Sequence, residues 1–162
     1  MSFHKYFFLT LTVLVVSTAP VAAQRITVSG EVERPLTISA ADFQKFPVIE
    51  VKGKDKDEKE HTFKGTLLVN VLNEAGVTLG SALRGKNLLK YVLVSASDGY
   101  QAVFALPELD PEFTAESIIV ANTIDGKPLS KDEGPFRLVV PKDKKHARWI
   151  RQVSEIKVLI SK

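Results

Sequence analysis

Apolar side chains in this sequence alternate with polar ones in many short runs and fall at helical spacing in only one well-marked place. Ile26 to Val32 alternates, and so does Val153 to Ile160, which is the pattern of a strand with one buried face. Val48 to Val51, Ile118 to Ala121 and Phe136 to Val140 read as further short strands. Tyr91–Ala96 and Tyr100–Phe104 flank Ser97-Asp98-Gly99, and Asp-Gly accepts the positive φ angles of a tight turn, so a hairpin is expected. The period changes at Gly65: Leu68, Val71, Leu72 and Ala75 share one helical face, and Gly76 stands where a left-handed cap is wanted. Ser39 before Ala40-Ala41-Asp42 predicts a capped short helix reaching about Phe46, with Pro47 as its stop. Pro107 to Phe113 reads as a short helix or turn, and Asp125-Gly126-Lys127-Pro128 as a second turn. Strands and helices do not alternate regularly, so the expected class is α+β with mixed or antiparallel sheets.

The first 23 residues read as an address rather than as structure. His4 and Lys5 give a positive start, Tyr6 to Val16 an apolar run, and Val21-Ala22-Ala23 the small residues that signal peptidase prefers. Ser17, Thr18 and Pro20 interrupt the run before the ~20 apolar residues that spanning needs. The expectation is a signal peptide over residues 1–23 and a single domain over residues 24–162, periplasmic or secreted, with no stable membrane anchor after cleavage. The sequence has no cysteine, so neither disulfides nor thiolate metal ligands are on offer. Loss of Lys5 with the leader lowers the formal net charge of +3 by one, too weak a field to argue for nucleic acid.

The remaining candidates for chemistry are few. Only His61 and His146 follow the leader, and neither stands beside a GxSxG elbow, an HExxH motif or a clustered carboxylate set. Asp98, Asp110 with Glu112, and Asp132 with Glu133 all sit at turn signals, where acidic side chains serve the backbone. The run KDKDEKE at 54–60 mixes signs, which predicts a hairpin tip lying in water and a poor ligand site. PKDKKHARWIRQV at 141–153 is different. It puts Lys142, Lys144, Lys145, His146, Arg148 and Arg151 around the single tryptophan, Trp149. Arginine offers a planar fork of donors suited to phosphate or carboxylate, and lysine adds mobile point charges. Solvated lysines are the competing reading for such a run, and Trp149 either covers a ligand ring or plugs the core.

ITVSGEVERPLTISAADF, FKGTLLVNVLNEAGV, YVLVSASDGYQAVFAL and DGKPLSKDEGPFRLVVPKDKKHARWIRQVSEIKV follow one another through most of residues 24–162. In order and spacing they resemble the molybdopterin-binding domain of the sulfite oxidase family, in a small stand-alone exported form. The resemblance implies an α+β fold of mixed sheets that is part barrel-like, with molybdopterin as cofactor. It also implies that basic residues near the C-terminal strands hold the pterin phosphate. Arg148 matches a family arginine and Arg151 falls where the family has a lysine, so these two, with His146 and Lys145, are the candidate cofactor-binding residues. No catalytic residue and no metal ligand is assigned. The family cysteine that ligates molybdenum precedes the segment equivalent to FKGTLL, and here that region reads KDKDEKEHT. Neither His61 nor Thr62 replaces a soft, charged thiolate. The first reading is therefore a non-catalytic module binding an anionic small ligand or cofactor, or docking an unidentified protein partner. The alternative is a molybdopterin-dependent oxidoreductase with a separate electron-transfer partner, and a purely structural domain is the third reading.

Overall fold

A computed structural model describes residues 24–161, so the expected leader lies outside the described residues. Ten strands and two short helices follow in chain order: β1 (Ile26–Gly30), β2 (Leu36–Ile38), α1 (Ala40–Phe43), β3 (Ile49–Lys54), β4 (Glu60–Leu67), α2 (Leu68–Glu74), β5 (Lys90–Ala96), β6 (Gln101–Ala105), β7 (Ile119–Ile124), β8 (Lys127–Pro128), β9 (Arg137–Val139) and β10 (Val153–Ile160). Single 3₁₀ turns fill several connections, among them Leu106–Leu109 and His146–Arg148.

The strands form two sheets. One has the order β2-β1-β10-β5-β6, the other β3-β4-β7-β8 with β9 also on β7. All pairings are antiparallel except β1 with β10, which run parallel in register Thr27 to Glu155 through Gly30 to Val158. The architecture is the expected α+β with mixed and antiparallel sheets, and neither sheet path closes into a barrel. Alternation decides which side is buried in the first sheet: Ile26, Val28, Val92, Val94, Ile156 and Val158 are all within 1% of complete burial. In the second sheet β7 and β9 bury consecutive residues, Ile119-Val120-Ala121 and Arg137-Leu138-Val139, because both their faces are covered. These residues, apart from Arg137, and Leu68, Val71 and Leu72 of α2 belong to a single apolar cluster. Each fully buried aliphatic side chain in it contributes about 1.5–3 kcal/mol.

Local chemistry sets the boundaries. Ser39 accepts from the Asp42 amide and Asp42 accepts from the Ser39 amide, a reciprocal capping box at the start of α1. The helix ends at Phe43 rather than near Phe46, and its remaining residues continue as turn. Gly76, at φ 73°, ends α2 where the 3.6-residue pattern stops. At Gly65 the β4–β7 register shifts, and a Cβ there would fall on the Val120 carbonyl oxygen, so only glycine lets the two backbones approach so closely.

Candidate functional site

The segment between β9 and β10 is built around Trp149. The indole is 4% exposed, donates from Nε1 to the Val140 carbonyl at 2.8 Å, and stands edge-on to Phe63 of β4 and to His146. It is a core plug, and β3 makes room for it at Gly53, where a Cβ would come within 2.6 Å of the ring. His146 is tied to β3: Nε2 donates to the Lys54 carbonyl at 2.6 Å, because a carbonyl can only accept. The loop is thereby pinned to the end of the β3–β4 hairpin.

Beneath this seat lies a charge that the sequence pattern did not single out. Arg137, in the middle of the apolar run Phe136–Val140, is completely buried. Its guanidinium grips Asp55 through two parallel hydrogen bonds, at 2.7 and 2.8 Å, and donates to Glu133 at 2.9 Å. The rings of Phe63 and Trp149 both lie 5.3 Å from its central carbon. Asp55 belongs to the mixed-charge tip expected to lie in water, and here the expectation fails: the side chain is 7% exposed because Arg137 draws it inward. Burial pushes the Asp55 carboxyl up, but the hydrogen bonds from Arg137 and the Lys56 amide outweigh it and hold the pKa down to about 2. A signal for Arg137 existed in the sequence: a cation inside a continuous apolar run must find a partner. Its partner, 82 residues earlier, could not be read from spacing.

Around Trp149 the surface opens into a basin of about 540 Å³, within the ~300–1,000 Å³ usual for small-molecule sites. Lys145, His146, Arg151 and Trp149 line it from the loop, Lys56 from the β3–β4 tip, and Ala96, Asp98 and Tyr100 from the β5–β6 hairpin. Among the described residues neither Lys56 nor Lys145 pairs with a carboxylate. Arg151 touches Glu133 loosely, at 3.5 Å, through an oxygen that Arg137 already holds, and its Nε is buried without an acceptor. Tyr100 donates to the Ala147 carbonyl at 2.7 Å and so fixes one wall. Asp98 is the one acid on the rim, and it accepts from the Tyr100 amide as a turn residue does.

Three of the four candidate residues thus meet in the basin, and the fourth does not. Arg148 binds Asp143 through Nε and a terminal nitrogen at 2.8 and 2.7 Å, reaches Glu108 at 3.1 Å, and covers the Phe104 ring at 4.8 Å. The Asp143 carboxylate is the main reason its pKa stands well above the ordinary arginine value, with Glu108 helping. This arginine joins the loop to the Leu106–Leu109 turn. Lys142 likewise pairs with Glu116 at 2.9 Å. Asp110 is 1% exposed, accepts from the Gly80 and Glu112 amides, and so acts as an internal backbone cap.

Molybdopterin presents two ends to a protein. The cations suit its phosphate, and the basin has room for a flat ring. The metal end is not matched: the sequence has no cysteine, and among the described residues no three His, Asp or Glu side chains gather to hold an ion.

The fold and the segment both have known counterparts. The crystal structure of the sulfane dehydrogenase SoxCD from Paracoccus pantotrophus superposes with a TM-score of 0.67 at 19% identity, covering 83% of this chain and 38% of that one. The chain therefore spans well under half of that protein, and at this identity the likeness is one of fold. A comparison with curated protein sequences gives no match. Residues 54–162, from the end of β3 through β10, match the oxidoreductase molybdopterin binding domain. Since that match takes in the whole basin and two thirds of the sequence, the chain belongs to the oxidoreductase molybdopterin-binding domain family.

Proposed function

We propose that this protein is an exported, non-catalytic member of its family, a module that binds an anionic ligand or the organic part of the cofactor in the Trp149 basin. The observation that carries this reading is the pairing of Lys56, Lys145 and Arg151 around one cavity in a chain with no thiolate. Two lysines without carboxylate partners and a loosely held arginine give the basin a positive surplus that Asp98 only partly offsets. A dianionic head on a flat ring is the ligand chemistry such a surplus fits, with the lysines as point charges and Arg151 as the fork. Oxygen-atom transfer is not part of the proposal, because the soft ligand that anchors molybdenum has no replacement in this sequence.

The test has two parts. Protein isolated from its native host should carry substoichiometric molybdenum, and one metal per chain would reject the non-catalytic reading. Inorganic phosphate should bind the purified protein, and Lys145→Ala with Arg151→Ala should weaken it at least tenfold while the thermal midpoint stays put. Unchanged affinity would reject the basin.

The family match favours a second reading, an oxidoreductase that keeps molybdopterin and takes electrons from a separate partner. A cofactor does the redox chemistry while the protein supplies position and charge, so the organic part could still be gripped. It predicts molybdenum retained in native protein and lost in the Lys145 and Arg151 variant.

A further inference from the structure

A second cavity, sharing no lining residue with the Trp149 basin, opens where β2, α1 and α2 come together. Its volume is about 510 Å³, again within the ~300–1,000 Å³ usual for small-molecule sites. Leu36, Ile38, Phe46 and Pro47 form its apolar side, and α2 supplies the polar side. Asn70, Asn73 and Glu74 fall at i, i+3 and i+4, on the helix face opposite the buried Leu68, Val71 and Leu72, so all three reach the same opening. The apolar side precedes residue 54, where the family match begins.

The charges here balance, unlike those of the basin. Asp42 has both carboxylate oxygens occupied, one by Lys45 at 2.7 Å and the other by the Ser39 hydroxyl at 2.6 Å. Glu74 is the remaining acid, and Arg34 brings a cation to the same end of α2 by donating to the Glu74 carbonyl at 2.8 Å. A charged ligand therefore gains little from the walls, and hydrogen bonding is what they offer. Asn70 spends one N–H on Thr66 at 3.1 Å and keeps its carbonyl oxygen for another partner. Among the described residues the Asn73 side chain has no hydrogen-bond partner, while its backbone carbonyl accepts from the Gly76 amide at the helix end. β2 is the end strand of its sheet, but it is three residues long and follows Pro35 directly, too short an edge to hold an added peptide strand.

We propose that this cavity binds a neutral pyranose sugar. A ring hydroxyl both donates and accepts, which matches the carboxamides of Asn70 and Asn73 and the carboxylate of Glu74. The axial C–H bonds give a pyranose a flat apolar face with slightly positive hydrogens, the complement of the negative face of the Phe46 ring. An open-chain polyol lacks that face, and an organic cation finds no uncompensated charge. The proposal stands apart from the basin reading, and neither depends on the other.

The probes are glucose and N-acetylglucosamine, titrated into the full chain and followed by saturation-transfer NMR. At least one should bind saturably with a Kd on the order of 1 mM, as expected for so small a ligand. Sorbitol, which carries the hydroxyls of glucose without a ring, should bind about fivefold more weakly. Phe46→Leu keeps an apolar side chain and should remove most of that preference. Asn73→Ala should weaken the sugar about fivefold, the loss of one hydrogen bond, while the thermal midpoint stays put. Ethylammonium should not displace the sugar. Lys145→Ala with Arg151→Ala should leave sugar binding unchanged, whatever becomes of phosphate in the basin. No saturation by either sugar up to about 50 mM, well above the expected constant, would overturn the proposal. So would equal affinity for sorbitol, displacement by ethylammonium, or full sugar affinity in both the Asn73 and Phe46 variants.

Discussion

Arg137 shows how one residue can organise a site it does not line. Its charge is compensated by Asp55 and Glu133, and the pair with Asp55 fixes the start of the tip from which Lys56 reaches the basin. Replacing Arg137 by Leu leaves Asp55 and Glu133 facing an apolar interior without their partner, and should cost about 3–5 kcal/mol in denaturant unfolding. Asp55→Leu added to Arg137→Leu should recover part of that loss, since an unpaired buried charge costs more than a missing pair. The same pair predicts an acid transition. The Asp55 pKa is held down to about 2, below its unfolded value, so its stabilisation is complete above about pH 4 and is lost as pH falls toward 2. An Asp55→Asn variant should start less stable and show a shallower decline over that window in acid titrations followed by Trp149 fluorescence. A cation within the apolar run Phe136–Val140 signalled a buried pair, but its partner was not legible, because the tip reads as a solvated charge run until β9 is brought beneath it.

Among the elements, those governed by neighbours in sequence were readable and those governed by distant contacts were not. The capping box at Ser39, the helical face of Leu68, Val71 and Leu72, the Asp-Gly hairpin and the full extent of β10 all follow from local rules. The premature end of α1 and the glycine at position 53 follow from packing. Gly53→Ala should push a methyl group against the Trp149 ring, which Phe63, His146 and Arg137 hold in place. A loss of about 1–3 kcal/mol and a shifted tryptophan emission are expected. Ser39→Ala removes one arm of the capping box and should cost only about 1 kcal/mol in thermal unfolding, with emission unchanged.

For the molecule as a whole, β10 is the keystone: the last strand lies between β1 and β5, so both ends of the described chain meet in the centre of one sheet. Amide hydrogen exchange should be slowest in β10 and β5, which have partners on both sides, and fastest in residues 56–59 at the tip. Equal protection in the two regions would contradict this ordering. What the sequence determined by itself was the α+β class, most strands, the family resemblance and the absence of a thiolate, since each is a matter of residue type and short-range order. The tertiary structure alone decided that Arg148 is spent on Asp143 and Glu108 while Lys145, His146 and Arg151 meet Lys56, and that Arg137 lies buried with Asp55. The physical reason is that a charged side chain's role depends on which opposite charges come within reach, and those partners are set by strand pairing across tens of residues rather than by neighbours along the chain.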